Sequence, residues 1–299
     1  MNRTVLAPAH LMLAVAVTIV WGSNFVVVKY ALATMAPLTL ATLRFTAVLL
    51  PMVFFVKRPA VSWGNLAAYG MLIGVGQFGA LFVALRADVT PGLASLLMQS
   101  QVFFTLGLSR MLTGERVRWY QLAALVPAVA GVIVILMHTD GSITPLGLGL
   151  VLVASLSWGG GNIVARTAGQ VDMLGYVVWA SLFAIPPLLI MTLMFEGWPV
   201  IVAGVSAAGP STWAVIAWQA VGNTMFGYGV WGWLLARYPS ATVSPIALLI
   251  PVFGMGASTL VLGEPLQDWK LIAAALVMSG LAFGVLWPRL APRVMGASV

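Results

Sequence analysis

One pattern repeats from end to end of this chain: about twenty apolar residues, a short polar interruption, then another apolar run. The windows fall at roughly 9–33, 38–56, 64–86, 90–112, 118–137, 145–166, 174–195, 211–235, 239–262 and 269–287. A helix needs about 20 apolar residues to cross about 30 Å of hydrocarbon, so windows of this length can span a bilayer. Of the 299 residues 61% are hydrophobic and 7% charged, against about 25% charged in an ordinary soluble domain. In lipid every backbone polar group must be paired within the chain, which a helix achieves segment by segment. The expected fold is therefore an all-α membrane protein with ten transmembrane helices. Interruptions such as Lys57-Arg58-Pro59 and Gly263-Glu264-Pro265 leave no room for a soluble domain.

The formal charge of +7 does not point to nucleic acid, because the cations stand singly between apolar runs and form no basic helix or arm. The lipid bilayer is the expected partner; oligomeric state is not readable. With no cysteine and no His or Asp/Glu motif at membrane depth, neither a metal nor a cofactor is expected. The same absence of a nucleophile, base or metal cluster argues against an intramembrane enzyme. The apolar run from about His10 to Met35 is too long for a signal-peptide core and reads as the first helix.

The two halves echo each other. Trp21-Gly22-Ser23-Asn24 in the first window corresponds to Trp158-Gly159-Gly160-Gly161-Asn162 in the sixth, and Gly114-Glu115 ends the fourth as Gly263-Glu264 ends the ninth. A glycine stands mid-span in each last helix, Gly131 and Gly280. Residues 1–140 and 141–299 thus read as two five-helix repeats. Five being odd, the second must enter from the opposite side, the inverted-topology plan of many secondary transporters. Lys and Arg collect in short cytoplasmic loops. Ten helices with both termini in the cytoplasm place ten of the fourteen cations inside and only Arg86 and Lys270 outside. Lys29 and Arg44 are left within the first and second helices.

These features together resemble the drug/metabolite transporter superfamily in its ten-helix exporter branch, and within it the bacterial aromatic amino acid exporters. The resemblance spans essentially the whole chain. It implies a bacterial inner-membrane location and a central cavity built by helices one, three, four, six, eight and nine, with five and ten set apart.

Polar groups and rings at membrane depth are the candidate site. The amides Asn24, Gln77, Gln99, Gln101, Asn162, Gln219 and Asn223 lie near mid-span. Gln219 and Asn223, spaced i, i+4, share a helix face, with Tyr228 on a neighbouring stripe. Such amides either line a cavity or join helices by hydrogen bonds. Half of the twelve tryptophans, Trp63, Trp119, Trp198, Trp213, Trp269 and Trp287, sit at helix ends, as interfacial rings do. Trp21 and Trp158 lie near mid-helix, and Trp179, nearer an end, is kept with them as a cavity candidate. Rings for stacking and amides for a charged head suit an aromatic amino acid. They also suit hydrophobic or cationic aromatic drugs, and a membrane scaffold or receptor is the alternative of another class.

A charge at the bilayer centre costs about 2.5–3.5 kcal/mol on insertion scales, so intramembrane charges face a cavity or a partner. Lys29, Arg44, Glu115 and Glu264 are candidate ion-pair or gate residues. All carboxylates and both histidines stand at helix ends, leaving no mid-membrane proton carrier. Gradient-driven passive transport or exchange is therefore expected over strict proton antiport. Gly74, Gly79, Pro245 and Pro251 are candidate hinges, since transporter helices bend where Gly or Pro interrupts them.

Overall fold

The computed structural model describes residues 6–114, 116–138, 141–238 and 240–295. Glu115 lies outside them. The described chain is helical throughout, apart from one isolated bridge, Val89 with Ile143. In chain order the helices are α1 Pro8–Leu32, α2 Pro37–Met52, α3 Trp63–Ala87, α4 Pro91–Leu112, α5 Trp119–Leu136 and α6 Pro145–Thr167. They continue with α7 Met173–Met191, α8 Gly197–Ala207, α9 over 210–237, α10 Ser244–Leu262 and α11 Asp268–Met295. Proline opens α1, α2, α4, α6 and α9, where its missing N–H would be unpaired in any case.

By length and composition eight helical runs can cross a membrane, the run from Met173 to Ala207 counting as one. With the shorter α2 and the interrupted α9 the bundle has the expected ten. One element was not foreseen. Gly197, at φ +78°, breaks the seventh span. The eleven residues of α8 then run as a separate helix, with Gly204 set against Thr34 and Met35 of the α1–α2 turn.

Packing follows the repeat. α1 lies on α10 as α6 lies on α4, and α3 on α7 as α9 on α2. α3 meets α6 as α9 meets α1, while α5 pairs with α11 and α2 with α7. Exchanging the halves therefore maps the contacts onto themselves. The Trp-Gly pairs explain part of this arrangement. A Cβ on Gly22 would lie 2.6 Å from the Ile250 carbonyl oxygen, and one on Gly159 would lie 3.0 Å from the Thr105 backbone nitrogen. Each glycine thus lets its helix press on the broken helix of the other half. Gly280 meets the Ala124 carbonyl and Gly131 that of Ala273 in the same manner, so the mid-span glycines are the crossing points of α5 and α11.

Four helices depart from α geometry in matched pairs, and the seventh span also widens to a π stretch, Thr192–Glu196, just before Gly197. α3 widens to a π-helix over Met71–Gly79 and α9 over Gln219–Phe226. α4 tightens to a 3₁₀ turn at Met98–Ser100 and α10 at Ser244–Leu248. Such interruptions free backbone groups and bend helices, and π-bulges recur at functional sites. Three of the four candidate hinges, Gly74, Gly79 and Pro245, fall inside these stretches, and Pro251 lies just beyond. Gly74 is also a packing contact, since a Cβ there would lie 2.3 Å from that of Ala184.

Candidate functional site

The interrupted helices surround a central cavity of about 80 Å³. Its wall is Trp21, Asn24, Phe25 and Val28 of α1, Gln77, Phe78, Leu81, Phe82 and Leu85 of α3, and Ser95, Met98 and Gln99 of α4. Trp158 of α6, Asn223 and Tyr228 of α9 and Ile250 of α10 complete it. α5 and α11 contribute nothing to this wall. A pocket enclosing a drug-sized ligand has about 300–1,000 Å³, so in this arrangement the helices stand closed on the space between them.

Seven sequence candidates, Trp21, Asn24, Gln77, Gln99, Trp158, Asn223 and Tyr228, border the cavity, and the backbone decides how. The π-helix of α9 leaves the Asn223 carbonyl available to the Trp21 indole, which donates to it at 3.1 Å. Gly227 makes room for that ring, since a Cβ there would sit 2.3 Å from the indole nitrogen. Trp21 also packs at 5.5 Å from Tyr228 and 5.4 Å from Trp231, centroid to centroid. These rings form one aromatic wall.

The remaining four do not border the cavity. Gln219 is fully buried one layer behind Asn24, to whose Oδ1 its Nε2 donates at 2.5 Å. Gln101 and Asn162 bond each other at 2.8 Å, tying α4 to α6; theirs is the interhelical role that amides also serve. Trp179 lies near an end of the bundle, donating to the Val56 carbonyl at 3.0 Å and packing beside Trp63.

Two of the four gate candidates, Lys29 and Glu264, gather at one end of the bundle as reciprocal helix caps, while Arg44 lies against the Phe78 ring. Glu264, after α10, accepts from the Thr90 hydroxyl at 2.5 Å, from the Gly92 N–H at 3.1 Å and from the Ser258 hydroxyl. It also pairs with buried Lys270 at 3.2 Å. Its charge thus sits on the N-terminus of α4, the end of a helix that favours an anion. Among the described residues Lys29 makes no ion pair: its ammonium donates to the Leu85 and Arg86 carbonyls at 2.6 and 3.0 Å, closing the C-terminus of α3. Arg86 returns the contact, donating to the Leu32 carbonyl that ends α1 and to the Met35 carbonyl of the α1–α2 turn. Cations at C-terminal carbonyls complement the helix dipole.

Sequence reasoning missed three further ties. Glu196 caps α2, accepting from Leu38 N–H at 2.6 Å and Thr39 N–H at 2.9 Å. At the opposite end Asn65 donates to the Val164 carbonyl and accepts from the Tyr176 hydroxyl at 2.6 Å, knotting α3, α6 and α7. His10 meets the Tyr238 hydroxyl at 2.7 Å. Glu196 and His10 were legible only as polar residues at helix ends, because their partners are distant in sequence. Among the described residues no group of His, Asp or Glu is placed to hold a metal.

A sequence model of the EamA-like transporter family matches residues 9–137 and 145–286 of the chain. A protein of Salmonella typhimurium named as a probable amino-acid metabolite efflux pump is 39% identical, over 91% of this chain and 93% of its own length. Its namesake in Escherichia coli K12 is 38% identical, over 92% and 95%. A probable terminal-alkyne amino-acid exporter of Streptantibioticus cattleyicolor is 25% identical, over 90% and 91%. One solved crystal structure superposes with a TM-score of 0.64 at 19% identity, over 96% of this chain and 99% of that one, a likeness of fold.

Proposed function

The chain belongs to the EamA-like transporter family, and on that premise we propose that it exports aromatic and other neutral amino acids from the cytoplasm by alternating access. The observation that carries this reading is the closed cavity between the halves, walled by indole and phenyl rings and by the amides of Asn24, Gln77, Gln99 and Asn223. Rings stack on an aromatic or apolar side chain, and amides offer both donors and acceptors to a zwitterionic head. The relatives named as amino-acid exporters support the same cargo.

In this reading residues 1–140 and 141–299 are inverted repeats that rock about the matched π and 3₁₀ interruptions. The protein sits in the bacterial inner membrane with both termini cytoplasmic, so the Glu264 end faces outward and its caps form the outer gate. Glu115, its repeat counterpart, is assigned to the inner gate. Transport is passive or exchange-type: among the described residues no carboxylate or histidine lines the cavity, and Asp88, Asp172, Glu196 and Glu264 are engaged at helix ends.

Counterflow of labelled tryptophan, phenylalanine, methionine and a cationic dye in proteoliposomes, with and without a pH gradient, tests the reading. Amino acids should exchange at rates indifferent to the gradient. Exchange of the dye alone would overturn the cargo, and loss of exchange without the gradient would overturn the passive mechanism.

A further inference from the structure

Arg44 is a buried cation beside the cavity that the proposed gate does not explain. It stands seven residues past Pro37, about 10 Å along α2 at 1.5 Å per residue, and its side chain is 2% exposed. A cation at that depth is expected to reach the headgroups or an acid, and this one does neither. Its Nε and Nη1 have no hydrogen-bond partner. The described carboxylates near α2 are spent elsewhere, Glu196 on the start of α2 and Asp88 on Thr144. The guanidinium lies 3.4 Å from the centroid of the Phe78 ring and 5.2 Å from that of Phe45. Phe78 is itself cavity wall, so a single ring separates an unmatched cation from the central space.

Unmatched acceptors lie around the same space. The Oε1 of Gln77, in the cavity wall, and the Oε1 of Gln219, behind Asn24, are buried without a partner. Four of the five unpartnered buried side-chain polar atoms among the described residues thus belong to three residues around one cavity. Leaving such groups unpaired is costly, and the cost is recovered when a ligand supplies the missing half of each bond.

We propose that Arg44 is the anchor for the carboxylate of the transported α-amino acid, reached when Phe78 swings aside, while the Gln77 oxygen in the cavity wall receives its ammonium group. A guanidinium presents paired N–H donors in the fork that a carboxylate fits. The two unmatched sets then select a zwitterion over a neutral or purely cationic solute. This deepens the reading of the cavity as an amino-acid site and rests on it.

The test is the affinity of purified full-length protein for phenylalanine and for phenylalaninamide, which keeps ring and ammonium but lacks the carboxylate, read from ligand-dependent thermal stabilisation. Wild type should bind the acid at least about tenfold more tightly than the amide, one charge-assisted interaction's worth. Arg44→Gln should weaken the acid to the level of the amide and leave the amide within about twofold, with Arg44→Lys intermediate. Equal loss of both ligands in Arg44→Gln, or unchanged affinity for the acid, would overturn the assignment. If Arg44→Gln does not fold, wild type decides: equal affinity for acid and amide overturns the proposal. Binding of neither ligand, with no amino-acid counterflow, would instead overturn the cargo reading on which it depends.

Discussion

Single side chains around the cavity divide into those held by hydrogen bonds and those held only by packing. Asn24 accepts from the Gln219 amide nitrogen, while the Gln219 amide oxygen is already unpartnered. Asn24→Ala should therefore strand a second buried polar atom and cost about 1–3 kcal/mol, seen as a lower unfolding midpoint in detergent together with a raised KM. Gln99 borders the cavity too, yet among the described residues no hydrogen bond holds its side chain. Gln99→Ala should shift KM in counterflow while leaving the unfolding midpoint within about 0.5 kcal/mol of wild type, the usual range away from such features. The sequence could not separate these two amides. Both are polar residues at mid-span; only the 195-residue leap from Asn24 to Gln219 distinguishes them. Gln101 and Asn162, equally good candidates by position, satisfy each other instead.

Helices are where sequence and structure agree most closely and where the disagreements have a single cause. Apolar length alone places nine spans near their observed ends, but the π and 3₁₀ stretches change a helix by one residue per turn, and no composition signal marks that. Gly74, Gly79 and Pro245 mark these stretches without revealing their type. α8 was hidden because its eleven residues, Gly197 to Ala207, are apolar but too few to make a span of their own after the break at Gly197. The crossings of helices, by contrast, were written in small residues. Gly22→Ala should push α1 off α10, since the new methyl would meet the Ile250 carbonyl at 2.6 Å, at a cost of about 1–3 kcal/mol. Gly149→Ala on α6, where nothing lies within 4 Å, should be neutral or mildly stabilising, as expected for glycine replaced in a helix interior. Thermal unfolding of the two variants side by side checks the contrast. The proposed gate of helix caps makes a second prediction. Glu264→Gln removes the charge from the N-terminus of α4 and leaves Lys270 buried and unpaired, a change worth about 3–5 kcal/mol in buried pairs. Because the chain has no cysteine, Ser95→Cys in the cavity wall is a clean reporter. Its labelling by an impermeant maleimide from outside should be several-fold faster in the Glu264→Gln background, and unchanged labelling would remove Glu264 from the gate.

At the scale of the whole molecule the question is orientation, which charge decides and contacts do not. The exchange of contacts between halves is compatible with either face outward, because an inverted repeat presents the same packing from both sides. What breaks the symmetry is the distribution of Lys and Arg: short loops holding Lys57, Arg58, Arg116 and Arg118 lie at one end, and the end holding Glu264 has only Arg86 and Lys270 beside Lys29. Those three cations are engaged, two on helix carbonyls and one on Glu264, as Arg58 and Arg166 are engaged at the other end. The number of loop cations alone therefore carries the asymmetry, and that number favours the proposed orientation with the Glu264 end outward. Two exposed loop positions report on it, Leu266 after α10 and Ala60 between α2 and α3. In intact cells Leu266→Cys should react with a membrane-impermeant maleimide at once, and Ala60→Cys only after the membrane is opened. The reverse pattern would turn the transporter over and make the Glu264 caps the inner gate, with the path of export reversed through the same cavity.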